Sequence, residues 1–588
     1  MSILADTVTL EHAYTPARAR AADRVWSRAL MFAAAAIVVV APFERPLFTV
    51  GGGLTVTTSE AATSIALVVA ALYVAARRQI VRPAPLMLSG SAFVAAMVVA
   101  ALIAPMEQGN ALRFAARMIV AAVVCVLFVN VGTTTQRARA IVRVALGIAA
   151  LVGTIAVLEQ AEVPAVLAGL TAFRPGFHVV GGQMRATSTL IYPTIASMYL
   201  EVVFALGLWL LLEPVSRQPR LERSLVFAAL VAIGAGISAT FTRAGLIGMF
   251  VSMILVAGFR MLRMPSAQWN LRPLATLGVV LAAVVVVMHS VNLLAVRVGT
   301  EGSQAWYGAL YQVPATLQLE TGAAQSIPIV VTNTGRLTWD SAGRPPFAMS
   351  YHWLRADSDA VIQFDGDRTP FARPVRPGDT VRLPVTVVAP GEAGSYVLVW
   401  DVVHETRAWL STESVAPART MVNVTGAKSS TVVTRMSRLP IAPIRPVRPE
   451  LWGIALRMSA ERPWLGFGPD NFRHAYGRYA GFDRWDPRVH ANNMYLETLT
   501  GAGIIGLVAL LSLVAASGSA LWRRARHANE TSIARSAAIL AAWLMIAGHG
   551  LVDSFLSFTT TYLTFAMALG LAFSPGLTGL ASSDADRV

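Results

Sequence analysis

The sequence predicts a polytopic all-α membrane protein with about twelve transmembrane helices and an inserted β-sandwich domain outside the membrane. Three observations lead to this prediction. First, 55% of the 588 residues are hydrophobic and only 14% are charged, whereas soluble proteins carry roughly 25% charged residues. Second, long apolar stretches recur, with arginine-rich loops between them. Third, residues 297–430 change to the period-two alternation that is typical of β-strands.

Each transmembrane helix is predicted from the length of an apolar stretch. A hydrocarbon core about 30 Å thick needs about 20 apolar residues per helix. Twelve stretches come close to this length, and we expect each to form one membrane helix. They lie near 29–44, 60–76, 85–105, 114–132, 141–159, 193–213, 224–241, 244–262, 274–296, 499–521, 534–552 and 558–575.

The placement of arginine predicts the orientation of the chain. Arginines concentrate before the first stretch and after the second, fourth, sixth, eighth and tenth, which all lie on one side in a twelve-helix count. Because positively charged loops stay in the cytoplasm, we expect both termini to be cytoplasmic. The net charge of +15 is explained by this topology, and we expect no nucleic acid partner.

A smaller set of arginines lies on the opposite face, against this charge bias. Ionisable groups near membrane depth are costly and usually face a cavity or a partner. These residues therefore need an explanation of their own. They are Arg113, Arg117, Arg174, Arg185 and Arg243.

The apolar and alternating patterns divide the chain into four regions. We expect residues 1–296 to hold the first nine helices and residues 297–430 to form the extracytoplasmic β domain. Residues 431–498 should form a tether and a candidate catalytic loop, and residues 499–588 the last three helices. The tether is rich in Pro and Arg around Leu439–Glu450, which favours an extended chain.

The β domain is predicted to contain about seven strands, separated by turn signals such as Asn333-Thr-Gly335. Trp339, Trp353 and Trp400 are expected in its core. The run NTGRLTW (Asn333–Trp339) resembles immunoglobulin-like accessory domains of carbohydrate-related enzymes. The domain then either packs on the outer face or orients an acceptor or a partner.

After the tether, Leu451, Ile454, Ala455 and Met458 recur at helical spacing, which predicts a short amphipathic helix at the interface. The loop from Glu461 to Gly506 that follows interleaves arginines with aromatic residues. Cations suit phosphate and aromatic faces suit sugar rings, so the loop could bind an anionic glycan, with Arg462 and Arg488 as contacts. The alternative is an interfacial aromatic belt.

Arg185 and Arg243 are the strongest phosphate candidates. Thr240, Thr242 and Arg243 are predicted to form a tight turn that opens a helix, where free amides and a guanidinium together favour phosphate. The alternative is an arginine that extends to the lipid headgroups. Nothing in the sequence indicates nucleotide hydrolysis, and no His, Asp or Glu cluster has metal-ligand spacing, so we expect no metal and no cofactor.

Three runs resemble the O-antigen ligase and O-antigen polymerase family of bacterial inner-membrane glycosyltransferases. Arg185–Glu201 is similar to the arginine-containing stretch that precedes a helix in this family. Thr242–Gly248 resembles its arginine turn. RPWLGFGPDNF (Arg462–Phe472), followed by HANNMYLETLTGAGIIG (His490–Gly506), resembles its large outer loop re-entering the membrane.

The resemblance implies transfer of a glycan from a polyprenyl-diphosphate donor to a sugar hydroxyl on a glycan or glycolipid acceptor. It implies a GT-C-like fold among membrane lipids, without a nucleotide sugar. The location would be the bacterial inner membrane, with the β domain and the active site facing the periplasm. Arg185 and Arg243 would hold the diphosphate, and Arg113 and Arg117 are weaker candidates.

The sequence departs from the family at the usual histidine. Counting back from Gly503–Gly506 puts that position at Asn492, with Asn493 after it. His490 lies two residues upstream and is the candidate general base, while Glu497 is one of three carboxylates that could replace it or bind substrate. The other two are Asp483 and Asp486. Asn492 and Asn493 could bind the acceptor.

Other functions remain open at this stage. The main alternative to a ligase is a polysaccharide polymerase, whose motifs overlap with those of a ligase. A multi-pass transporter or flippase is a further alternative, although polar residues concentrate on one face rather than at the midplane. His549 lies in an apolar stretch and is expected to contact another helix or a cavity.

Overall fold

The computed structural model of the protein describes residues 17–50, 54–77, 80–174, 176–213, 219–263, 272–290, 306–426, 446–530 and 532–578. Before the β domain the helices are α1 (Ala17–Val40), α2 (Thr58–Arg77), α3 (Ala84–Leu102), α4 (Gln108–Val131), α5 (Thr135–Gln160), α6 (Pro164–Leu170), α7 (Pro193–Leu211), α8 (Arg220–Ala239), α9 (Arg243–Arg263) and α10 (Arg272–Ser290). After it they are α11 (Arg448–Glu461), α12 (Phe472–Ala480), α13 (Met494–Arg526), α14 (Ile533–His549), α15 (Thr559–Ala572) and α16 (Pro575–Thr578).

Each of the twelve apolar stretches overlaps one of these helices, and the end of the ninth stretch, residues 291–296, lies outside the described residues. Within the described residues, seven helices are long and apolar enough to cross a membrane: α2, α4, α5, α7, α8, α9 and α13. Shorter apolar segments of 10–17 residues lie in α1, α3, α10, α14 and α15. The protein is thus a helical membrane protein, while the number of twelve spans and the orientation stay predictions.

Helix α7 lies at the centre of the membrane part and is buried along its whole length. It packs against α5, α8, α9, α14 and α15. Small residues allow close helix contacts around it: a Cβ at Gly236 in α8 would lie 2.5 Å from the Cα of Gly153 in α5. Such small-residue contacts are typical of helix packing in membranes.

Helix α13 contains a kink that joins it to the preceding loop. Gly503 has φ 64° and ψ −165°, which interrupts the helical hydrogen bonds. The loop replaces them: Ile504 donates its N–H to the carbonyl of Pro463 at 2.7 Å, and Phe467 donates to the carbonyl of Thr500 at 2.8 Å. The kink and the loop therefore form one hydrogen-bonded unit.

The predicted amphipathic helix is confirmed as α11, in which Leu451, Ile454, Ala455 and Met458 are all buried. Most of the predicted tether lies outside the described residues, which resume at residue 446.

The β domain contains two sheets. Its strands are β5 (Ala309–Gln312), β6 (Thr316–Glu320), β7 (Ala324–Asn333), β8 (Phe347–Arg355), β9 (Val361–Gln363), β10 (Thr369–Pro370), β11 (Thr380–Val388), β12 (Gly394–His404), β13 (Ala408–Trp409) and β14 (Ala418–Thr425). The larger sheet has the order β10-β8-β12-β14-β6, with β9 on β8 and β13 on β12, and the smaller one has the order β11-β7-β5. Neighbouring strands are antiparallel except for the parallel pair β14 and β6.

Both sheets contribute to one apolar cluster, as in a sandwich. Trp339, Trp353 and Trp400 are fully buried in it, as predicted. Seven of the strands have four or more residues, and β9, β10 and β13 are two- or three-residue additions to the predicted set. The likeness to an immunoglobulin domain stays a prediction.

The β domain contacts a short hairpin of the membrane part, formed by β3 (His178–Val180) and β4 (Gln183–Arg185). Gly182 lies in the turn of this hairpin with φ 75°, and a Cβ there would lie 3.3 Å from the ring of His404. Nearby, Arg407 forms an ion pair with Glu162. A second hairpin joins β1 (Pro46–Val50) to β2 (Leu54–Thr57).

We expect the substitution Gly503→Ala to lower the thermal stability of the purified protein. The residue has a left-handed φ, and a Cβ would lie 2.2 Å from the carbonyl of Trp464, so the loop and the kink could not both keep their positions. The matched control is Gly258→Ala in α9, where a Cβ meets no atom within 4 Å. Equal melting temperatures for the two variants would contradict this account.

Acid should destabilise the β domain through His404. Burial and, to a lesser extent, the charge of Arg407 lower the pKa of His404 to about 4. The unfolded chain therefore binds the proton more readily, and stability falls as the pH drops from about 6.5 through the folded pKa. A shift of this size corresponds to roughly 3 kcal/mol at most.

Hydrogen exchange of the β12 amides in the full-length protein, corrected for the intrinsic exchange rate, measures this effect. His404→Phe preserves the stacking on Phe347, whose ring centroid is 3.9 Å away, and should flatten the pH dependence. An equally steep dependence in this variant would assign the effect to another group.

Candidate functional site

A cavity of about 810 Å³ lies where α7, α9, α11 and α14 meet. It is a candidate ligand site because polar and charged side chains converge on an otherwise apolar wall. The residues lining it are Arg185, Thr194, Glu201, Thr242, Arg243, Ala244, Ile247, Gly248, Val251, Leu255, Val447, Arg448, Pro449, Trp452, Leu544, Met545, Gly548, His549, Leu551 and Val552.

The two arginines singled out from the sequence both line this cavity. Arg185 ends β4, and its Nε donates a hydrogen bond of 2.8 Å to the carbonyl of Thr240 in the turn between α8 and α9. Its NH2 group lies 3.3 Å from the hydroxyl of Thr242. Phe241, fully buried between these threonines, has φ 53°, which is costly for a bulky residue. The turn is therefore tightly specified.

Arg243 is the first residue of α9, and its side chain is exposed to the cavity mouth. The first amides of a helix have no helical acceptors and carry partial positive charge. A guanidinium at this position adds a full charge to that field. This end of the cavity is thus suited to an anion such as phosphate.

Helix α11 provides a third wall, which the sequence reasoning did not assign to the site. Arg448 opens this helix and Trp452 lies one turn later. The indole N–H of Trp452 is buried and makes no hydrogen bond to any described residue. An aromatic face with a free donor beside a cation suits a sugar phosphate. The available sequence signal was a helix start directly after a Pro-rich segment.

The fourth wall contains a buried acid and an imidazole. Glu201 in α7 is fully buried, and its Oε1 lies 2.7 Å from Nδ1 of His549 at the end of α14. His549 therefore contacts another helix and also lines a cavity, as expected from the sequence. The signal for Glu201 was a carboxylate within an apolar stretch, which usually marks function.

His490 lies elsewhere and is not among the described residues that line the cavity. Its Nδ1 is 3.5 Å from Glu497 and 3.7 Å from Asp470. Burial by itself would lower the pKa of His490, but Glu497 and Asp470 outweigh it and the pKa is raised.

The other residues around His490 have structural contacts. Asn493 caps α13, accepting the N–H groups of Tyr495 and Leu496 at 3.0 Å. Glu497 accepts the N–H of Ala491 at 2.6 Å. Asn492 has φ 50° and is partly exposed, so its side chain is available to a ligand, outside the cavity.

The remaining arginine candidates are dispersed, and none of them is among the described residues lining the cavity. Arg113 donates to the carbonyl of Gly109 in its own helix. Arg462 lies over the ring of Phe467, 5.9 Å from its centroid. Arg117 lies within electrostatic range of Glu44.

Two further arginines form ion pairs with carboxylates of their own region. Arg488 makes two contacts with the buried Asp486, at 2.8 and 3.0 Å, so this carboxylate, a rival for the role of base, is already engaged. Arg174, which also ran against the charge bias, forms a buried ion pair with Glu159. Within the described ranges, no three His, Cys, Asp or Glu side chains lie close enough together to hold a metal ion.

Comparison with known proteins finds a match for one part of the chain, which includes helix α11 of the cavity wall. Residues 442–511 match the family model described as O-antigen ligase. The matched range contains α11, the loop, His490 and the kink of α13. No curated protein sequence matches the chain significantly. The match confirms the predicted resemblance to this family for residues 442–511.

Proposed function

We propose that the protein is a membrane glycosyltransferase that moves a glycan from a polyprenyl-diphosphate donor to a sugar hydroxyl, as an O-antigen ligase does. The reaction would take place on the outer face of the inner membrane. The observation that carries the proposal is the shared cavity: Arg185 and Arg243 line it together with Arg448 and Trp452 of the matched domain.

The chemistry needs little beyond positioning and positive charge. In the transfer, the bond between the anomeric carbon and a phosphate oxygen breaks, and negative charge grows on the diphosphate. Guanidiniums fixed at that end stabilise this charge in the transition state. Arg185 is held by the turn that precedes α9, and Arg243 opens that helix, so both are positioned before the substrate arrives.

The remaining walls fit the other parts of such a donor. Trp452 offers an aromatic face and a free N–H to the first sugar. Ile247, Val251 and Leu255 of α9, with Leu544 of α14, form an apolar wall along which an isoprenoid chain could lie. The same donor would serve a polymerase, and only the acceptor separates that alternative from a ligase.

The test is a transfer assay with the full-length protein in lipid nanodiscs, without nucleotide. The donor is an undecaprenyl-diphosphate-linked oligosaccharide. The acceptor is either a lipid A–core oligosaccharide or a second copy of the donor. Release of undecaprenyl diphosphate with only the first acceptor supports a ligase, and release with only the second supports a polymerase. No release with either acceptor contradicts the proposal.

We expect Arg243→Ala and Arg185→Ala each to lower turnover by about 10²–10³-fold, the usual loss when one fixed donor to a developing anion is removed. Arg243→Lys should recover only part of this loss because an ammonium cannot make the bidentate contact. The control is Arg382→Ala, an exposed arginine on β11, which should be neutral. Full activity of both alanine variants would place the diphosphate elsewhere.

His490 needs a separate experiment because its catalytic role stays a prediction. As an ionic link to Glu497 and Asp470, it stabilises the loop below about pH 6.5, and this contribution is lost as the pH rises through its raised pKa. His490→Ala should then lower the melting temperature at pH 6 more than at pH 8.5. Loss of about 10²-fold or more in turnover at unchanged stability would instead support a general base.

A further inference from the structure

We propose that His549, held by Glu201, accepts the proton of the acceptor hydroxyl during the transfer. This inference rests on the proposed function and deepens it, since it assigns the base within the cavity that holds the two arginines. Both members of the pair line that cavity. His490 lies outside it, against two carboxylates.

The pair has the geometry of an oriented base. Nδ1 of His549 lies 2.7 Å from Oε1 of Glu201, so a neutral imidazole donates its Nδ1–H to the carboxylate. Nε2 then carries the lone pair, and it makes no hydrogen bond to any described residue. A carboxylate that fixes the tautomer and stabilises the imidazolium is the arrangement that activates histidine as a base in hydrolytic triads.

Packing alone does not account for this pair. A fully buried carboxylate in an apolar helix is costly, and Oε2 of Glu201 has no hydrogen-bond partner among the described residues. Gly248 faces this oxygen, since a Cβ there would lie 2.9 Å from it. The chain thus keeps a buried, incompletely satisfied acid at the wall of the cavity, where any side chain at position 248 would displace it.

Charged groups from several elements surround His549. The carboxylates of Glu201 and Asp553 and the guanidinium of Arg448 lie within electrostatic range of its ring. Arg185 and Arg243 lie across the same cavity. An imidazolium formed during the reaction is therefore balanced by two carboxylates on its own side, while the guanidiniums balance the diphosphate.

In the proposed transfer, the oxygen of the acceptor hydroxyl forms a bond to the anomeric carbon of the donor. The bond from that carbon to the phosphate oxygen breaks. The electron pair of the broken bond stays on the diphosphate, between Arg185 and Arg243. The hydroxyl proton moves to Nε2 of His549, and the imidazolium later releases it to solvent or to the departing diphosphate.

The test uses the full-length protein in nanodiscs, with turnover and undecaprenyl diphosphate binding measured side by side. His549→Gln should lower turnover by about 10²–10⁴-fold, the usual contribution of a general base, and leave product binding within about twofold. Glu201→Gln keeps the size of the side chain but cannot stabilise an imidazolium. It should therefore lower turnover by at least about tenfold and move the acidic limb of the pH profile downward in pH, because the imidazolium loses its counter-charge. Added imidazole should restore part of the activity of His549→Ala.

A matched control separates catalysis from packing. Ser517→Ala removes another buried contact between α13 and α14, the 2.9 Å hydrogen bond from Nε1 of Trp543, and should change neither turnover nor the pH profile.

The outcomes are distinguishable. An active wild type whose His549→Gln variant keeps its turnover and pH profile overturns the inference and leaves the proposed function standing. The inference is also overturned if the His549 and Glu201 variants lose both stability and product binding and imidazole does not rescue them. That result would mark a structural ion pair. A wild type that releases no undecaprenyl diphosphate overturns both.

Discussion

The hydrogen bond from Arg185 to the carbonyl of Thr240 is the contact on which the cavity depends. It ties the end of a surface hairpin to the turn between α8 and α9, and a second backbone bond, from Ala186 to Ala239 at 3.0 Å, closes the same junction. Through this junction a guanidinium from the hairpin reaches the start of α9. Without it, Arg185 and Arg243 would belong to separate surfaces.

Gathering positive charge in this way has an electrostatic cost. Two guanidiniums beside a helix start repel each other, and the repulsion is stronger at the edge of a low-dielectric membrane than in water. The Thr240 carbonyl and the Thr242 hydroxyl reduce this cost, and an anion would offset more of it. The cavity is therefore arranged for a ligand that brings at least one negative charge.

The sequence alone was sufficient to predict the long helices, the long strands and part of the candidate site. The length of the apolar stretches predicted the positions of the long helices, and period-two alternation predicted the long strands. Both patterns can be read from neighbouring residues alone. The arginines were found because charge is conspicuous against an apolar background. Their shared cavity agrees with the expected phosphate site.

The parts that sequence reasoning missed depend on contacts between distant positions. Glu201 and His549 are 348 residues apart, and their pairing arises only when α7 and α14 pack together. Trp452 could be predicted as part of an amphipathic helix, but the wall to which that helix docks could not. His490 was the imidazole nearest to Asn492, the position that the spacing assigns to the family histidine, yet the loop turns it toward Asp470 and Glu497.

The contact between His404 and the turn at Gly182 connects the β domain to the hairpin that ends at the cavity. Only Gln183 and Met184 lie between Gly182 and Arg185, and this backbone is paired in the hairpin of β3 and β4. A displacement of the end of β12 would consequently reach a residue that lines the cavity.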